Sequence, residues 1–209
     1  MGSEMCIRDS HGRGHRRAAR HPRGHRNRAG EHPAVTRRNV ELKARYPDLQ
    51  AGHDTALRIG AVDTDSLQQV DTYFHAADGR LKLREIDSRA DGVSAELIWY
   101  ARPDQVAART SQFHVVPVPR PAAILDTLDA GLGVQVVVRK VRRLFLLDNV
   151  RIHLDEVDGL GNFLEFEAVL NPGQDEADGY AQLETLQSEF GIATEAIIGA
   201  SYSDLLTAG

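Results

Sequence analysis

Cys6 is the only cysteine in 209 residues, so no internal disulfide framework exists and a cytoplasmic location is the default expectation. No apolar run approaches the roughly 20 residues needed to span a bilayer, which argues against a membrane protein. The N-terminus lacks the sustained apolar core of a secretory signal. No βαβ repeat, GxGxxG, Walker, CxxC or HExxH motif is present. The common dinucleotide, P-loop and zinc-hydrolase signatures are therefore absent.

What is there is an ordinary soluble composition, 42% hydrophobic and 26% charged, enough for one good-sized domain. The net charge of −5 hides an asymmetry: residues 1–38 hold 10 arginines and 3 acids, and the remainder is strongly acidic. Residues 1–36 are Arg, His, Gly, Ala and Pro with few large apolar side chains, a composition expected to stay disordered. Three readings of this basic tail stand open. It is a polyanion-binding arm, or a metal-binding one through His11, His15, His21, His25 and His32, or not native sequence. The run Met5-Cys-Ile-Arg-Asp-Ser10 resembles translated adapter read-through. The tail is set aside, nucleic acid is not taken as the partner, and the domain is placed at 37–209.

Period-two alternation and turn residues predict about eight strands. They fall at 38–45, 68–75, 80–86, 96–100, 112–118, 134–147 and in two arms of a hairpin over 149–167, turning at Gly159 and Gly161. Residues 87–94 read as a polar loop. Helices are expected over 48–60 behind Pro47, from Pro121 to Gly131, over 175–190 and over 201–206. Leu49, Ala56 and Leu57 should face inward on the first of these, and Tyr180, Leu183, Leu186 and Phe190 on the third. Nearly every strand neighbours its predecessor, so the sheet should be antiparallel and the class α+β.

The strands share an unusual pattern. Glu41 and Lys43 alternate with Val40, Leu42 and Ala44; Lys82 and Arg84 with Leu81 and Leu83. Lys140 and Arg142 lie two apart. Arg151, His153 and Asp155 alternate with Val150, Ile152 and Leu154, and Glu165 and Glu167 with Leu164 and Phe166. Successive side chains on a strand point to opposite faces, so each strand has one charged and one apolar face. A single such strand is ordinarily a solvated surface. Repetition over at least four strands suggests instead a sheet closed around a polar lumen, with helices covering its apolar outside.

Carboxylates are hard oxygen ligands for Mg²⁺ or Mn²⁺, while arginine forks and lysine point charges grip phosphate oxygens. Cations alone would suggest sulfate or a nucleic-acid backbone, and carboxylates alone a plain metal site. The mixture points to a metal–triphosphate. Tyr73, Phe74, Trp99, Tyr100 and Phe113 either stack a base or belong to the core.

Asn39-Val-Glu-Leu-Lys43 resembles the N-terminal Glu-x-Glu-x-Lys signature of the CYTH superfamily of class IV adenylate cyclases and thiamine triphosphatases. Gly79-Arg-Leu-Lys-Leu-Arg-Glu85 resembles that family's Lys-x-Arg strand. Val138–Arg143, Leu154-Asp-Glu156, Gly161–Glu167 and Ser201–Leu206 follow in the family's order. The resemblance implies an eight-stranded antiparallel closed barrel, the triphosphate tunnel, and divalent-metal chemistry on a triphosphate. It implies Glu41, Glu165, Glu167 and Asp155 as metal ligands, with Asp155 alternatively orienting water. It implies Lys43, Lys82, Arg84, Lys140, Arg142 and Arg151 as phosphate grips, with Lys82 and Asp155 nearest the chemistry. Asn39 stands where the signature has its first Glu, which weakens a second metal position.

The wording is closest to the bacterial cyclase-like branch. The leading expectation is therefore conversion of ATP to cyclic AMP and pyrophosphate. The alternatives are hydrolysis of tripolyphosphate, a nucleoside triphosphate or thiamine triphosphate, or a non-catalytic polyphosphate-binding module. A homodimer is compatible with all three.

Overall fold

A computed structural model describes residues 39–101, 109–110 and 112–208. The basic tail, residues 102–108, 111 and 209, and the side chain of Phe113 lie outside the described residues. The elements in chain order are β1 (Asn39–Arg45), α1 (Leu49–Arg58), β2 (Val62–Phe74), β3 (Arg80–Ser88), β4 (Gly92–Ala101), β5 (Arg109–Thr110) and β6 (Gln112–Pro117). They continue with α2 (Pro121–Leu132), β7 (Val134–Leu147), β8 (Val150–Val157), β9 (Gly161–Val169), α3 (Glu176–Glu189) and α4 (Tyr202–Thr207).

Among the described residues the fold is α+β: eight full antiparallel strands, with the two-residue β5 as a ninth, and four α-helices. The hydrogen-bonded order is β5-β1-β9-β8-β7-β2-β3-β4-β6. It runs as an open series, so the pairing does not by itself establish the closed barrel. Its two end strands are nonetheless successive pieces of chain, at 109–110 and 112–117.

Period-two patterning set the faces as expected. Val40, Leu42, Ala44, Ile152, Leu154, Leu164, Phe166 and Ala168 form a buried outer layer under Ala56 of α1, Leu183 and Leu186 of α3, and Phe190 just after it. Phe74, Leu83 and Ala95 do the same under Ile124, Leu125 and Leu128 of α2. A third cluster, including Tyr73, Val138, Val157, Phe163 and Tyr202, lies at the α4 end of the sheet on its charged face. Gly179 marks the tightest contact: a Cβ there would meet Val40 Cγ2 at 2.7 Å, so α3 rests directly on β1.

Several boundaries differ from expectation. Residues 87–94 are mostly strand, because Asp87 and Ser88 pair with Val93 and Gly92 around a short turn. Asp65 ties that turn down, accepting from Ser88 Oγ and from the Ala90 backbone N–H. The second strand starts at Val62 rather than 68, since β2 follows β7 through a bulge at Asp63/Asp65. Leu57 and Tyr180 are exposed rather than inward, at 47% and 38%. The first helix is capped by the Asp48 carboxylate, which accepts from the Ala51 N–H. Asp148, at φ 52°, and Asn149 make the two-residue turn from β7 to β8.

Phe166 is fully buried between sheet and helices. Phe166→Ala should cost about 3–5 kcal/mol in urea unfolding. A loss under about 1 kcal/mol would show that the helices do not seal this face.

Candidate active site

The charged faces converge. A cavity of about 920 Å³ is lined from β1 and β9 by Asn39, Glu41, Lys43, Glu165 and Glu167. From β2, β3 and β7 come Asp71, Lys82, Arg84, Lys140 and Arg142, with Arg151 and His153 from β8. Of the ten residues singled out from sequence, nine line this cavity. The tenth, Asp155, lies beneath it at 0% exposure. The sequence holds only three lysines, Lys43, Lys82 and Lys140, and all three are buried here, at 5%, 7% and 5%. Lysine is rarely so buried unless paired. That concentration is the strongest sequence signal left unread.

Two carboxylates organise the cations. Asp71, which sequence reading missed, is 1% exposed. It accepts both arms of the Arg84 fork, at 2.6 Å from Nε and 2.7 Å from Nη2. Lys82 Nζ donates to it at 2.9 Å, and Lys140 Nζ lies 3.5 Å away. Burial would raise the Asp71 carboxyl, but Arg84, Lys82 and Lys140 outweigh it and hold the group well below the usual carboxylate range. Asp155 makes the matching clamp on Arg142, at 2.7 and 2.6 Å, and also accepts from the Tyr202 hydroxyl at 2.9 Å.

The acidic wall follows from the register. Glu41 pairs across β1–β9 with Glu167, and Lys43 with Glu165. Glu165 accepts from Arg142 Nη2 at 2.8 Å and lies 3.3 Å from Lys43 Nζ and 3.4 Å from His153 Nδ1. Glu167 accepts from Arg151 and from the Asn39 amide nitrogen. Because a carboxylate only accepts, that bond turns Asn39 Oδ1 away from Glu167, and the oxygen is buried with no hydrogen-bond partner.

These observations test the fit of a divalent cation. Among the described residues no three His, Cys, Asp or Glu side chains form a ready metal cage. Mg²⁺, however, usually takes one or two carboxylates and completes its shell with water and substrate phosphate. Glu41, Glu167 and the orphaned Asn39 oxygen suit that arrangement. Asp155 does not, since Arg142 and Tyr202 occupy its oxygens and no surface of it is exposed. Glu165 is intermediate, being shared among Lys43, Arg142 and His153.

Of the aromatic candidates, Tyr73 and Tyr100 line the cavity, with their hydroxyls 3.4 Å apart and Lys82 Nζ at 3.4 Å from Tyr73. Phe74 is core, and Trp99 lies elsewhere, donating to the Asp78 carbonyl. One end of the cavity meets α4, where Lys43 Nζ sits 4.0 Å above the Tyr202 ring.

The sequence profile described as the CYTH domain matches residues 37–202. The chain belongs to the CYTH family. No curated protein matches it. Solved structures share the CYTH fold with it. The PH1012 protein of Pyrococcus horikoshii OT3 is 22% identical, with 80% of this chain and 98% of that one covered and a TM-score of 0.69. A candidate adenylate cyclase of Vibrio parahaemolyticus is 20% identical, with coverage of 81% and 97% and a TM-score of 0.61. A candidate adenylyl cyclase of Hippeastrum, described as having a dominant triphosphatase activity, is 15% identical, with coverage of 83% and 96% and a TM-score of 0.58.

The buried charges of this CYTH domain should show in its stability. Asp71, Asp155 and Glu165 have carboxyls held below their unfolded values. Their contribution is complete above about pH 4 and is lost as pH falls through the folded values. The lysines run the other way: burial and neighbouring arginines push Lys82 well down and Lys140 down to about 8. Folded amines then bind protons more weakly than unfolded ones, so stability should rise from about pH 8 toward about 10. Calorimetry of the ligand-free protein should show Tm climbing between about pH 7.5 and 9.5. The climb should flatten in a Lys82→Met, Lys140→Met variant. A falling Tm in the wild type would show that the amines are not desolvated.

Proposed function

We propose that this CYTH domain takes a triphosphate with a divalent cation into its lumen and cleaves a phosphoanhydride bond, with ATP cyclisation as the leading reaction. The single observation that carries the reading is the gathering of two sets of charges in one cavity. Glu41, Glu165 and Glu167 on β1 and β9 line it together with Lys82, Arg84, Lys140 and Arg142 on β3 and β7. Closure of the sheet belongs to the same proposal. It needs the chain to pass from β1's partner at 109–110 to β4's partner at 112–117, which a single intervening residue allows.

Glu41 and Glu167 would hold the cation, aided by the Asn39 oxygen, with Mg²⁺ or Mn²⁺ as candidates. Bound there, the ion supplies charge neutralisation on the phosphates and lowers the pKa of the attacking hydroxyl or water. Lys82, Arg84, Lys140, Arg142 and Arg151 would grip the non-bridging oxygens and stabilise the leaving pyrophosphate electrostatically. Lys43 stands among the carboxylates of β1 and β9, paired with Glu165 and lying over the Tyr202 ring. Asp155 fits a different part from the one expected of it, since its bidentate grip fixes the direction of Arg142 rather than meeting substrate.

An organic triphosphate is favoured over an inorganic one. Leu67, Ile86 and Leu144 line the same cavity and are packed into none of the three apolar clusters. Leu67 pairs directly with Arg142, so this aliphatic surface adjoins the phosphate grip. It offers a heterocycle or sugar an apolar seat, as cyclisation of ATP requires.

Incubation of the full chain with ATP and tripolyphosphate, with Mg²⁺ or Mn²⁺, and product chromatography tests the reading. Cyclic AMP and pyrophosphate are expected. Orthophosphate without cyclic AMP would replace cyclisation by hydrolysis, and binding without turnover would leave a polyphosphate-binding module. Glu167→Gln should remove metal-dependent turnover, and Lys140→Ala should lower kcat/KM about 10²–10³-fold. Leu67→Asp should weaken ATP and spare tripolyphosphate. Equal affinity for both ligands before and after that change would exclude the organic seat.

A further inference from the structure

One carboxylate of the cavity faces away from any role as a ligand, yet touches three of the groups that would bind phosphate. Asp71 lies on β2, the strand between β3 and β7. Its cross-strand partner is Arg84; its neighbours two residues away, Tyr73 and Gln69, pair with Lys82 and Lys140. The register therefore puts one carboxylate within reach of cations from both flanking strands. At 1% exposure it is reached by phosphate only past those cations.

Counting donors shows what the contact does. Arg84 has five N–H donors and spends two on Asp71, which fixes its plane and leaves the remainder for a ligand. Lys82 has three, with one on Asp71 and one on the Tyr73 hydroxyl, so its third direction is set. Arg142 is held in the same way by Asp155. The wall would otherwise be three buried cations and the half-buried Arg84 in mutual repulsion.

We propose that Asp71 is a positioning residue for the triphosphate reaction, locking Lys82, Arg84 and Lys140 into one phosphate-binding array. The inference rests on the triphosphate reading above. A second consequence is electrostatic. Lys82 is faced by Asp71 and Tyr73 on β2, Arg84 on β3, Tyr100 on β4 and Lys140 on β7. Lys140 is faced by Asp71, Arg84, Arg142, Asp155 and Tyr202. Asp71 is the one carboxylate in contact with both amines among the described residues, so its charge favours their protonated forms against burial and the neighbouring arginines.

The test is Asp71→Asn in the full chain. Turnover of the metal–triphosphate should fall about 10²-fold through misplacement of the array. At pH 6, KM should stay within about threefold, because the lost anion offsets the lost order. Tripolyphosphate affinity should begin to weaken about one pH unit lower than in the wild type. Labelling lysine for NMR gives a direct reading, since the three side-chain amines are all in the cavity. Lys82 and Lys140 should titrate lower in the variant, and Asp71→Glu should restore the titration.

Wild-type amine titrations together with wild-type turnover in Asp71→Asn would overturn the proposal. If that variant fails to fold, the wild-type protein decides. An Arg84 Nε–H protected from exchange with and without tripolyphosphate supports the clamp, and one exchanging like an exposed arginine removes it. A wild-type protein that binds no tripolyphosphate would sink the triphosphate reading instead, while the lysine titrations would still judge Asp71.

Discussion

Buried charge must be matched, and that constraint governs the inside of this CYTH domain. Removing a cation from water costs several kcal/mol even after relaxation, and a nearby carboxylate recovers that cost only when the geometry is good. The chain meets the requirement twice with one device. Asp71 stands directly across from Arg84 on β2–β3, and Asp155 directly across from Arg142 on β7–β8. Each pair is a bidentate fork, the geometry in which a buried Arg–carboxylate contact is strongest. Lysines then fill the spaces between the forks. Asp71 takes Lys82 and Lys140, while Glu165 takes Lys43.

The outside of the sheet obeys a simpler rule. Where period-two alternation commits one face to charge, most of the intervening residues are apolar and need cover, while a few, Glu85, Arg139 and Arg143 among them, are charged on the outer face as well. α1 and α3 cover β1, β8 and β9, and α2 covers β2, β3 and β4. α4 does something else. Its Tyr202 stands at the end of the charged face, packed against Phe163, bonded to Asp155 and lying beneath Lys43. A six-residue helix thereby joins the apolar and ionic halves of the structure. Its capping box, with Ser201 and Asp204 bonding each other's backbone, fixes the turn that delivers the tyrosine.

A site of this kind is pre-organised rather than assembled by substrate. The side chains sit on strands, their directions are set by ion pairs, and reorganisation on binding is correspondingly small. The same tightness limits freedom: under the proposed function a phosphate would have to take donors that the internal carboxylates leave over. The orphaned oxygen of Asn39 and the unpacked Leu67, Ile86 and Leu144 are two places in the cavity where contacts are left incomplete. Both adjoin the charged walls, where a ligand rather than protein would complete the contacts.

Alternation along the chain determined by itself that the strands carrying Glu41, Lys43, Lys82, Arg84, Lys140, Arg142, Arg151, Glu165 and Glu167 each gather those charges on one face, with largely apolar residues on the other for helices to cover. Those are properties of single strands and their spacing, which local sequence carries. That the charged faces meet in one cavity came from the strand order. Tertiary structure alone decided which charges neutralise one another. Asp71 looked like one acid among many in an unremarkable strand, because its meaning depends on β3 and β7 flanking β2. Asp155 looked like a ligand because its chemistry permits it, whereas packing beneath Arg142 and Tyr202 gives it no exposed surface. Leu57 and Tyr180 were misread for the same reason, since helical period names a face but not what lies opposite it. Pairing between distant residues depends on register and depth, and neither is written in the neighbours of a residue along the chain.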